Sequence, residues 1–319
     1  MTIKDEHLSS SSQYNFKDEL SFEMNRLSNL IKHHAPSDGG FHLNIPGLYL
    51  GRISNPNVNN VKNFYLPSLG FAIQGITLVT VGHEMYQNDG THMYIVPIAM
   101  PITLRTTEAS PSKPFLGIRM DLNPERIAAL IPKVYPHGLP KTEKRNINYF
   151  TDIDINIVNA FSRLLQLLKS PKDAKLLTPI ILDEILIRLL LSPIGEHVAE
   201  IGISDSESQQ VTKAISWLSE NFAQQIKIPV LAELSNMSAS SFHRHFKSLT
   251  NMSPLQYQKA LRLHEARHLM LSRQMDATTA CHLVGYISDS QFSRDYSNFF
   301  GNPPRRDIEK MREQTQMLF

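Results

Sequence analysis

Short apolar runs fill the region from Phe41 to about Ile131, and turn-forming Gly, Pro, Asn and Asp residues separate them. Runs of this length that are rich in Val, Ile, Tyr and Phe predict β-strands. The expected strands are Leu48–Ile53, Asn63–Leu66, Gly70–Ile73, Ile76–Val81, His83–Gln87, Met93–Val96, Ile102–Thr107 and Phe115–Met120. So many short strands with turns between them indicate a β-sandwich or a β-barrel.

Apolar residues three and four positions apart predict helices on both sides of this region. Before it, helical spacing runs over Phe16–His33, behind a polar tail of residues 1 to about 13. After it, the spacing runs from Asp152 to about Glu200 and returns from Val211 onward. The polar, turn-rich segment 202–208 is interpreted as a linker between two domains.

The C-terminal region contains an internal repeat with an offset of 50 residues, as from Phe242 to Phe292. The first copy carries Ser238, Ser240, Phe242, Arg244 and Phe246 before Pro254, and the second carries Ser288, Ser290, Phe292, Arg294 and Tyr296 before Pro304. A short alanine-bearing helical segment and a turn precede each copy, at Asn236–Met237 and Gly285–Tyr286. This is the layout of a helix-turn-helix unit.

Each second helix of the repeat begins with a serine suited to N-capping, and Ser288 with Gln291 forms a capping-box pattern. The aromatic residues four positions apart are expected to face inward, so the residues between them face outward. These outward residues are His243, Arg244 and Lys247 in the first copy and Ser293 and Arg294 in the second. Such a face suits the major groove of DNA, where Arg pairs with guanine.

A helix joins the two units and starts at the Ser253-Pro254 signal. It is predicted over Leu255–Ser272 and, at about 1.5 Å per residue, spans about 27 Å. Two helices held this far apart suit successive major grooves on one face of DNA, about 34 Å apart. A plain helical bundle is the alternative, but two capped copies on a rigid helix favour a DNA-binding domain.

Overall charge adds little, because 32 Lys and Arg oppose 30 Asp and Glu, but the basic residues are concentrated in the C-terminal region. The segment Lys227–Arg306 contains 10 basic and 5 acidic residues. Cys281 is the single cysteine, which excludes an internal disulfide and a cysteine zinc cluster. The N-terminus lacks the apolar stretch of a signal peptide, and charged residues interrupt the apolar run 180–191. A cytoplasmic location is therefore expected.

The C-terminal region resembles the DNA-binding domain of the AraC/XylS family of transcription regulators over its whole length. The matching segments are LAEL (231–234), SASSFHRHFK (238–247), MSP (252–254), LRL (261–263), AR (266–267), VGY (284–286), QFSR (291–294) and GNPP (301–304). The resemblance implies base or phosphate contacts from Ser240, His243, Arg244 and Lys247 in the first unit and from Asp289, Ser290, Ser293 and Arg294 in the second.

Two acidic residues set the second unit apart, because Asp289 and Asp295 would be repelled by phosphate. The first unit is therefore expected to provide the better DNA contacts. Asp295 is equally interpreted as an internal partner of Arg294 or of a neighbouring lysine.

The N-terminal region resembles the cupin-like regulatory half of one AraC subgroup, through NIPGL (44–48), LPSL (66–69), QG (74–75), ASP (109–111) and PF (114–115). The resemblance implies a small β-barrel that senses an effector, with adjacent helices that dimerise. The expected fold is α+β and multidomain, with a cupin-like β-barrel flanked by helices and an all-α C-terminal domain with two helix-turn-helix units. The expected parts are a tail and N-terminal helix (1–40), the barrel (41–145), a helical dimerisation region (146–201), the linker (202–208) and the DNA-binding domain (209–319).

The expected function is that of a sequence-specific, DNA-binding transcriptional regulator, with activation as the favoured direction. Its expected partners are double-stranded promoter DNA, a small-molecule effector, a second copy of the chain and RNA polymerase. No cofactor, metal, membrane partner or enzymatic activity is expected. Polar and aromatic residues of the strands are the expected lining of an effector pocket: Tyr65, Gln74, His83, Tyr86, His92 and Tyr94.

Two patterns favour a metalloenzyme instead. HEARH at 264–268 matches the H-E-x-x-H zinc signature, although it lies inside the joining helix and has no third ligand at a family spacing. His42, His83 with Glu84, and His92 offer ligands for a metal-dependent cupin, but the H-x-H spacing is absent. A non-specific nucleic-acid chaperone is a further alternative.

The aliphatic run Leu176–Leu191 has two interpretations, because its apolar stripe suits either a core contact with the barrel or a dimer seam. Cys281 falls in a predicted helix interior, which favours a buried, unreactive thiol over a redox sensor.

Overall fold

The computed structural model describes residues 6–56, 60–81, 84–139, 150–203 and 206–316. Its strands are β1 (Gly39–His42), β2 (Leu48–Ile53), β3 (Asn60–Tyr65), β4 (Ser68–Gln74), β5 (Ile76–Val81), β6 (Glu84–Asn88), β7 (His92–Val96), β8 (Met100–Glu108), β9 (Phe115–Asp121) and β10 (Phe150–Asp152). They form a six-stranded sheet in the order β1-β2-β9-β4-β7-β10 and a four-stranded sheet in the order β3-β8-β5-β6. The described pairings are antiparallel.

All of the expected strands have a counterpart in these sheets, with ends that differ by a few residues at most. Two edge strands were not expected from the sequence. β1 reads GGFH and β10 has three residues, so neither contains an alternating apolar run. They form because β2 and β7 would otherwise be edge strands with unpaired backbone groups, to which a short strand can hydrogen-bond.

The helices of the N-terminal region are α1 (Glu6–His34), α2 (Pro124–Val134), α3 (Ile155–Leu167), α4 (Pro171–Leu190) and α5 (Gly195–Gly202). The backbone of α1 begins at Glu6, whereas the sequence predicts a tail up to about residue 13; that prediction is wrong for residues 6–13. The serine-rich stretch contains neither Gly nor Pro, so nothing in it interrupts the helix.

The six-stranded sheet has two different faces, because side chains alternate along each strand. Leu50, Ile118 and Met120 lie on the face that packs against α1 and α3, in a core that also contains Phe161. The intervening positions, including Gly51 and Arg119, face the space between the two sheets.

Helix α4 confirms the core interpretation for part of the aliphatic run. Ile181, Ile185 and Leu189 are buried in the core shared with the sheet. Leu176 and Ile180 near its N-terminal end are 71% and 63% exposed. The run is therefore core along one side and an uncovered apolar face along the other.

The C-terminal helices are α6 (Glu207–Asn221), α7 (Ile228–Leu234), α8 (Ala239–Thr250), α9 (Pro254–Ser272), α10 (Ala277–Leu283), α11 (Asp289–Phe300) and α12 (Pro304–Gln316). Helices α6 to α9 share a hydrophobic cluster with β5 and β8, which includes Val79, Ile102 and Tyr257. The hydroxyl of Tyr257 donates to the carbonyl of Ala99 at 2.5 Å. The barrel and the first helix-turn-helix unit thus share one hydrophobic cluster, whereas the second unit has a cluster of its own.

In the described part of the chain, no helix combines the length and hydropathy needed to cross a bilayer.

Candidate DNA-binding surface and ligand cavity

The first helix-turn-helix unit consists of α7 and α8. Asn236 has a φ of 49° in the turn, and Ser238 Oγ accepts a hydrogen bond from the amide of Ser241 at 3.3 Å. Phe242 and Phe246 are fully buried, which confirms the inward face predicted for α8. The four residues expected to contact DNA from this unit are all exposed: Ser240, His243, Arg244 and Lys247.

Arg244 is held by a chain of contacts that the sequence did not reveal. The Nδ1 atom of the buried His245 lies 2.6 Å from a carboxylate oxygen of Glu207 at the start of α6. Arg244 Nη2 lies 3.3 Å from the other ring nitrogen of His245. A histidine that donates from Nδ1 to Glu207 has Nε2 free to accept from Arg244. Glu207 and His245 therefore position an exposed arginine at the outer face of α8.

The second unit consists of α10 and α11 and repeats this plan. Gly285 has a φ of 85° in the turn, Ser288 Oγ accepts from the amide of Gln291 at 3.4 Å, and Phe292 and Tyr296 are buried. The reciprocal capping box, in which each side chain bonds to the backbone of the other residue, forms at the start of α9 between Ser253 and Gln256. Of the residues expected to contact DNA, Asp289, Ser290 and Arg294 are exposed and Ser293 is half-buried.

The two acidic residues of α11 have different surroundings. Asp295 accepts from Lys259 Nζ at 3.1 Å and from the Tyr286 hydroxyl at 3.3 Å, so it pairs with a lysine of α9 rather than with Arg294. Asp289 stays exposed in the first turn of α11, 3.8 Å from His282. A carboxylate there is stabilised by the helix dipole without any DNA.

Arg262 connects helix α9 to the end of α6 and to the turn of the second unit. Its guanidinium donates to the carbonyl of Phe222 at 2.7 Å and to that of Gly285 at 3.0 Å. It also donates to the carbonyls of Ala223 and Gln224, both at 3.1 Å. These bonds fix the turn of the second unit against the end of α6.

The HEARH segment lies within α9, and its histidines have separate surroundings. The ring of His264 packs edge-on against Phe64, Phe299 and Phe300, at 5.4–5.6 Å between ring centres. His268 is exposed and lies 3.7 Å from Glu265. Across the described ranges, no group of three or more His, Cys, Asp or Glu residues is arranged to hold a metal ion.

Cys281 of α10 is fully buried, which confirms the location expected for its side chain. Burial, together with the neighbouring carboxylate of Asp289, raises the pKa of its thiol to about 12. Its nucleophilic thiolate form is therefore scarce at neutral pH.

A cavity of about 340 Å³ lies between the two sheets of the barrel. Its aromatic wall consists of Tyr49, Phe64, Tyr65, Tyr94 and Phe115. Arg119 of β9 enters it, with its guanidinium carbon 4.0 Å from the ring centre of Tyr49 and 4.9 Å from that of Tyr65. Arg119 Nη2 lies 3.6 Å from a carboxylate oxygen of Asp121, whose other oxygen accepts from the Tyr49 hydroxyl at 3.0 Å.

Of the residues expected to line an effector pocket, Tyr65 and Tyr94 line this cavity. The others with a described position lie outside its wall. Gln74 bonds to Lys32 and to the Pro114 carbonyl, Tyr86 stacks on Phe150, and His92 is exposed beside Asp152. His83 lies outside the described residues. Arg119 was not among the residues expected from the sequence, although it occurs at an inward position of the FLGIRMD strand, in phase with Phe115 and Gly117.

Comparison with known proteins identifies both regions. A family model for the N-terminus of AraC-type transcriptional regulators matches residues 44–197, and a helix-turn-helix domain model matches residues 231–309. The chain belongs to the AraC family of transcriptional regulators. This confirms the family resemblance and the fold expected from the sequence.

Relatives of the chain include HTH-type transcriptional activators named RhaS. The one from Pectobacterium atrosepticum is 28% identical over 123 residues, which is 39% of this chain and 44% of that protein. The one from Pectobacterium carotovorum is 30% identical over 102 residues, which is 32% of this chain and 37% of that protein. The chain thus matches less than half the length of these activators.

Similarity in fold extends further than similarity in sequence. A crystal structure of ToxT from Vibrio cholerae with a bound unsaturated fatty acid has a TM-score of 0.53 and is 8% identical. The match covers 84% of this chain and 97% of that one. This AraC-family chain therefore shares its two-part architecture with ToxT.

Proposed function

We propose that this AraC-family protein is a sequence-specific transcriptional activator that binds promoter DNA with α8 and α11. The observation that carries the proposal is the pair of N-capped helices α8 and α11. Each is the second helix of its helix-turn-helix unit, and each exposes polar residues. The RhaS relatives are named as activators, which supports the direction of regulation. Helix α9 joins the two units, and its 19 residues span about 29 Å, a length that suits adjacent major grooves.

The two units contribute unequally in this proposal. The first presents Ser240, His243, Arg244 and Lys247, with the arginine held in place by His245. Arg suits bidentate pairing with guanine, and Lys suits phosphate. In the second unit, Ser290, Ser293 and Arg294 are the proposed contacts, and Asp289 contributes mainly to the stability of the helix.

The barrel supplies regulation by a small molecule. Phe64 lines the cavity and also contacts Tyr257 and His264 of α9, at 5.3 and 5.6 Å between ring centres. A ligand that displaces Phe64 changes the packing between the barrel and the helix that holds both DNA-binding units. The effector acts only through its different affinity for the two arrangements. ToxT, of the same fold, has been crystallised with an unsaturated fatty acid, which supports a ligand-binding role for this architecture.

The remaining partners follow from the same proposal. Leu176 and Ile180 leave an apolar face on α4 that suits a homodimer contact. An activator acts through RNA polymerase in the cytoplasm, where promoter DNA is located. No catalytic activity is proposed, because His264 of the zinc-like motif is packed among phenylalanine rings.

The test compares Arg244→Ala with Arg294→Ala on duplexes that vary one base pair at a time. If Arg244 pairs with guanine, its loss weakens binding by about 1–3 kcal/mol and relaxes specificity at one position. Arg294→Ala is the matched control and is expected to have a smaller effect. Equal weakening on every duplex by Arg244→Ala would contradict base reading by this residue.

A further inference from the structure

We propose that the barrel cavity binds a small carboxylic acid, with the carboxylate on the edge of the Arg119 guanidinium and the apolar body against the aromatic wall. This inference rests on the proposed function, because it names the class of effector that the barrel senses.

The geometry of Arg119 selects the charged group of the ligand. Tyr49 and Tyr65 cover the planar guanidinium, so its N–H edge is what remains for a ligand. Asp121 forms an ion pair with Arg119 at 3.6 Å, beyond hydrogen-bond distance, and its other oxygen accepts from the Tyr49 hydroxyl. A guanidinium edge matches a carboxylate through two parallel hydrogen bonds.

A second polar group of the wall is a threonine hydroxyl that has no hydrogen-bond partner in the described part of the chain. Thr77 lines the cavity and is 1% exposed. Within the described residues its hydroxyl has no hydrogen-bond partner. A buried hydroxyl without a partner carries a desolvation penalty, which a polar atom of a ligand relieves.

Glycines keep the floor of the cavity open. Gly40, Gly51 and Gly117 line it and lie side by side in the register of β1, β2 and β9. A Cβ added at Gly40 or Gly51 would meet no atom within 4 Å, so both positions border empty space. A volume of about 340 Å³ is at the lower end of the range for small-molecule pockets. The ligand is therefore a small acid.

Calorimetric titration of the full-length chain tests the inference with benzoate, octanoate and the neutral benzamide. Benzoate and octanoate distinguish a flat aromatic body from a flexible aliphatic one. We expect at least one of the two acids to bind. If benzoate binds, benzamide should bind at least tenfold more weakly than benzoate. If octanoate binds, octanamide is the neutral comparison instead, with the same expected difference.

Three variants define the site. Arg119→Met is expected to weaken binding of the acid at least tenfold, while the exposed Arg105→Met leaves it unchanged. Gly51→Leu keeps Arg119 but fills the floor of the cavity with a side chain, so it is expected to abolish binding of the acid. This variant tests the site if Arg119→Met fails to fold. The inference is overturned if neither acid binds, if acid and amide bind equally, or if a folded variant at position 119 or 51 retains full affinity.

The same preparations are assayed on a selected DNA site, so that the two proposals fail separately. Specific DNA binding without acid binding refutes the carboxylate inference alone. Acid binding without any sequence-specific DNA binding refutes the proposed function, and the cavity then serves another role.

Discussion

Replacing Gly285 by Ala tests how tightly the turn of the second unit is fixed. Gly285 has a φ of 85°, a conformation that costs a residue with a Cβ about 1–3 kcal/mol. An added Cβ would also overlap the carbonyl oxygen of Ala223 and lie 2.8 and 2.9 Å from its carbonyl carbon and Cα. These are backbone atoms held by Arg262, so they cannot move aside without breaking its hydrogen bonds.

The magnitude follows from a matched control within the same domain. Gly301 has a nearly identical φ of 81°, but an added Cβ there would meet nothing within 4 Å. Gly301→Ala therefore carries the backbone strain alone, about 1 kcal/mol. Gly285→Ala adds an overlap of the kind that costs roughly 1–3 kcal/mol in packed cores, for a total of about 3 kcal/mol.

Urea unfolding of the full-length chain, followed by circular dichroism, measures both losses of unfolding free energy. Since native proteins have only about 5–15 kcal/mol in total, a loss of about 3 kcal/mol is readily resolved. Binding to a specific duplex should weaken more in Gly285→Ala than in Gly301→Ala, because the turn positions α11. Equal destabilisation by the two substitutions would refute the close packing of Gly285 on Ala223.

Three further predictions concern separate contacts. Glu207→Gln should weaken specific DNA binding several-fold in a gel-shift assay, because it loosens the support of Arg244; an unchanged affinity would contradict this positioning role. Tyr257→Phe should lower the unfolding free energy by about 1 kcal/mol, since the Ala99 carbonyl loses its partner. It should also reduce the effect of any effector on DNA binding, and full retention of that effect would argue against coupling through α9. Cys281, with a pKa raised to about 12, should resist alkylation at pH 8 in the folded chain and react once urea unfolds it; rapid modification of the folded chain would contradict its burial.

The helix-turn-helix units could be predicted from the sequence because their determinants are local. A capping serine, a turn residue that tolerates positive φ and two aromatic residues four positions apart all lie within one short segment. Ser238, Asn236 and Phe242 each take the place that the repeat assigns to them. The strands of the barrel were found for the same reason.

Features that depend on distant segments were not predictable in this way. Arg119 and Tyr49 come together because β2 and β9 are neighbours, which no local pattern reveals. Chemical type alone placed Gln74 and His92 in the pocket, whereas the register of the strands turns them elsewhere. The pairing of Asp295 with Lys259 likewise required the packing of α11 on α9.

Selection of bound duplexes from a random DNA pool tests whether both helix-turn-helix units read DNA. We expect one enriched motif with two segments centred about 10 base pairs apart, one for each unit. The segment read by the first unit should be the better defined, and Arg244→Ala should relax it while the other segment persists. Recovery of duplexes with no common motif, or of a motif with a single segment that Arg244→Ala leaves unchanged, would refute sequence reading by the two units.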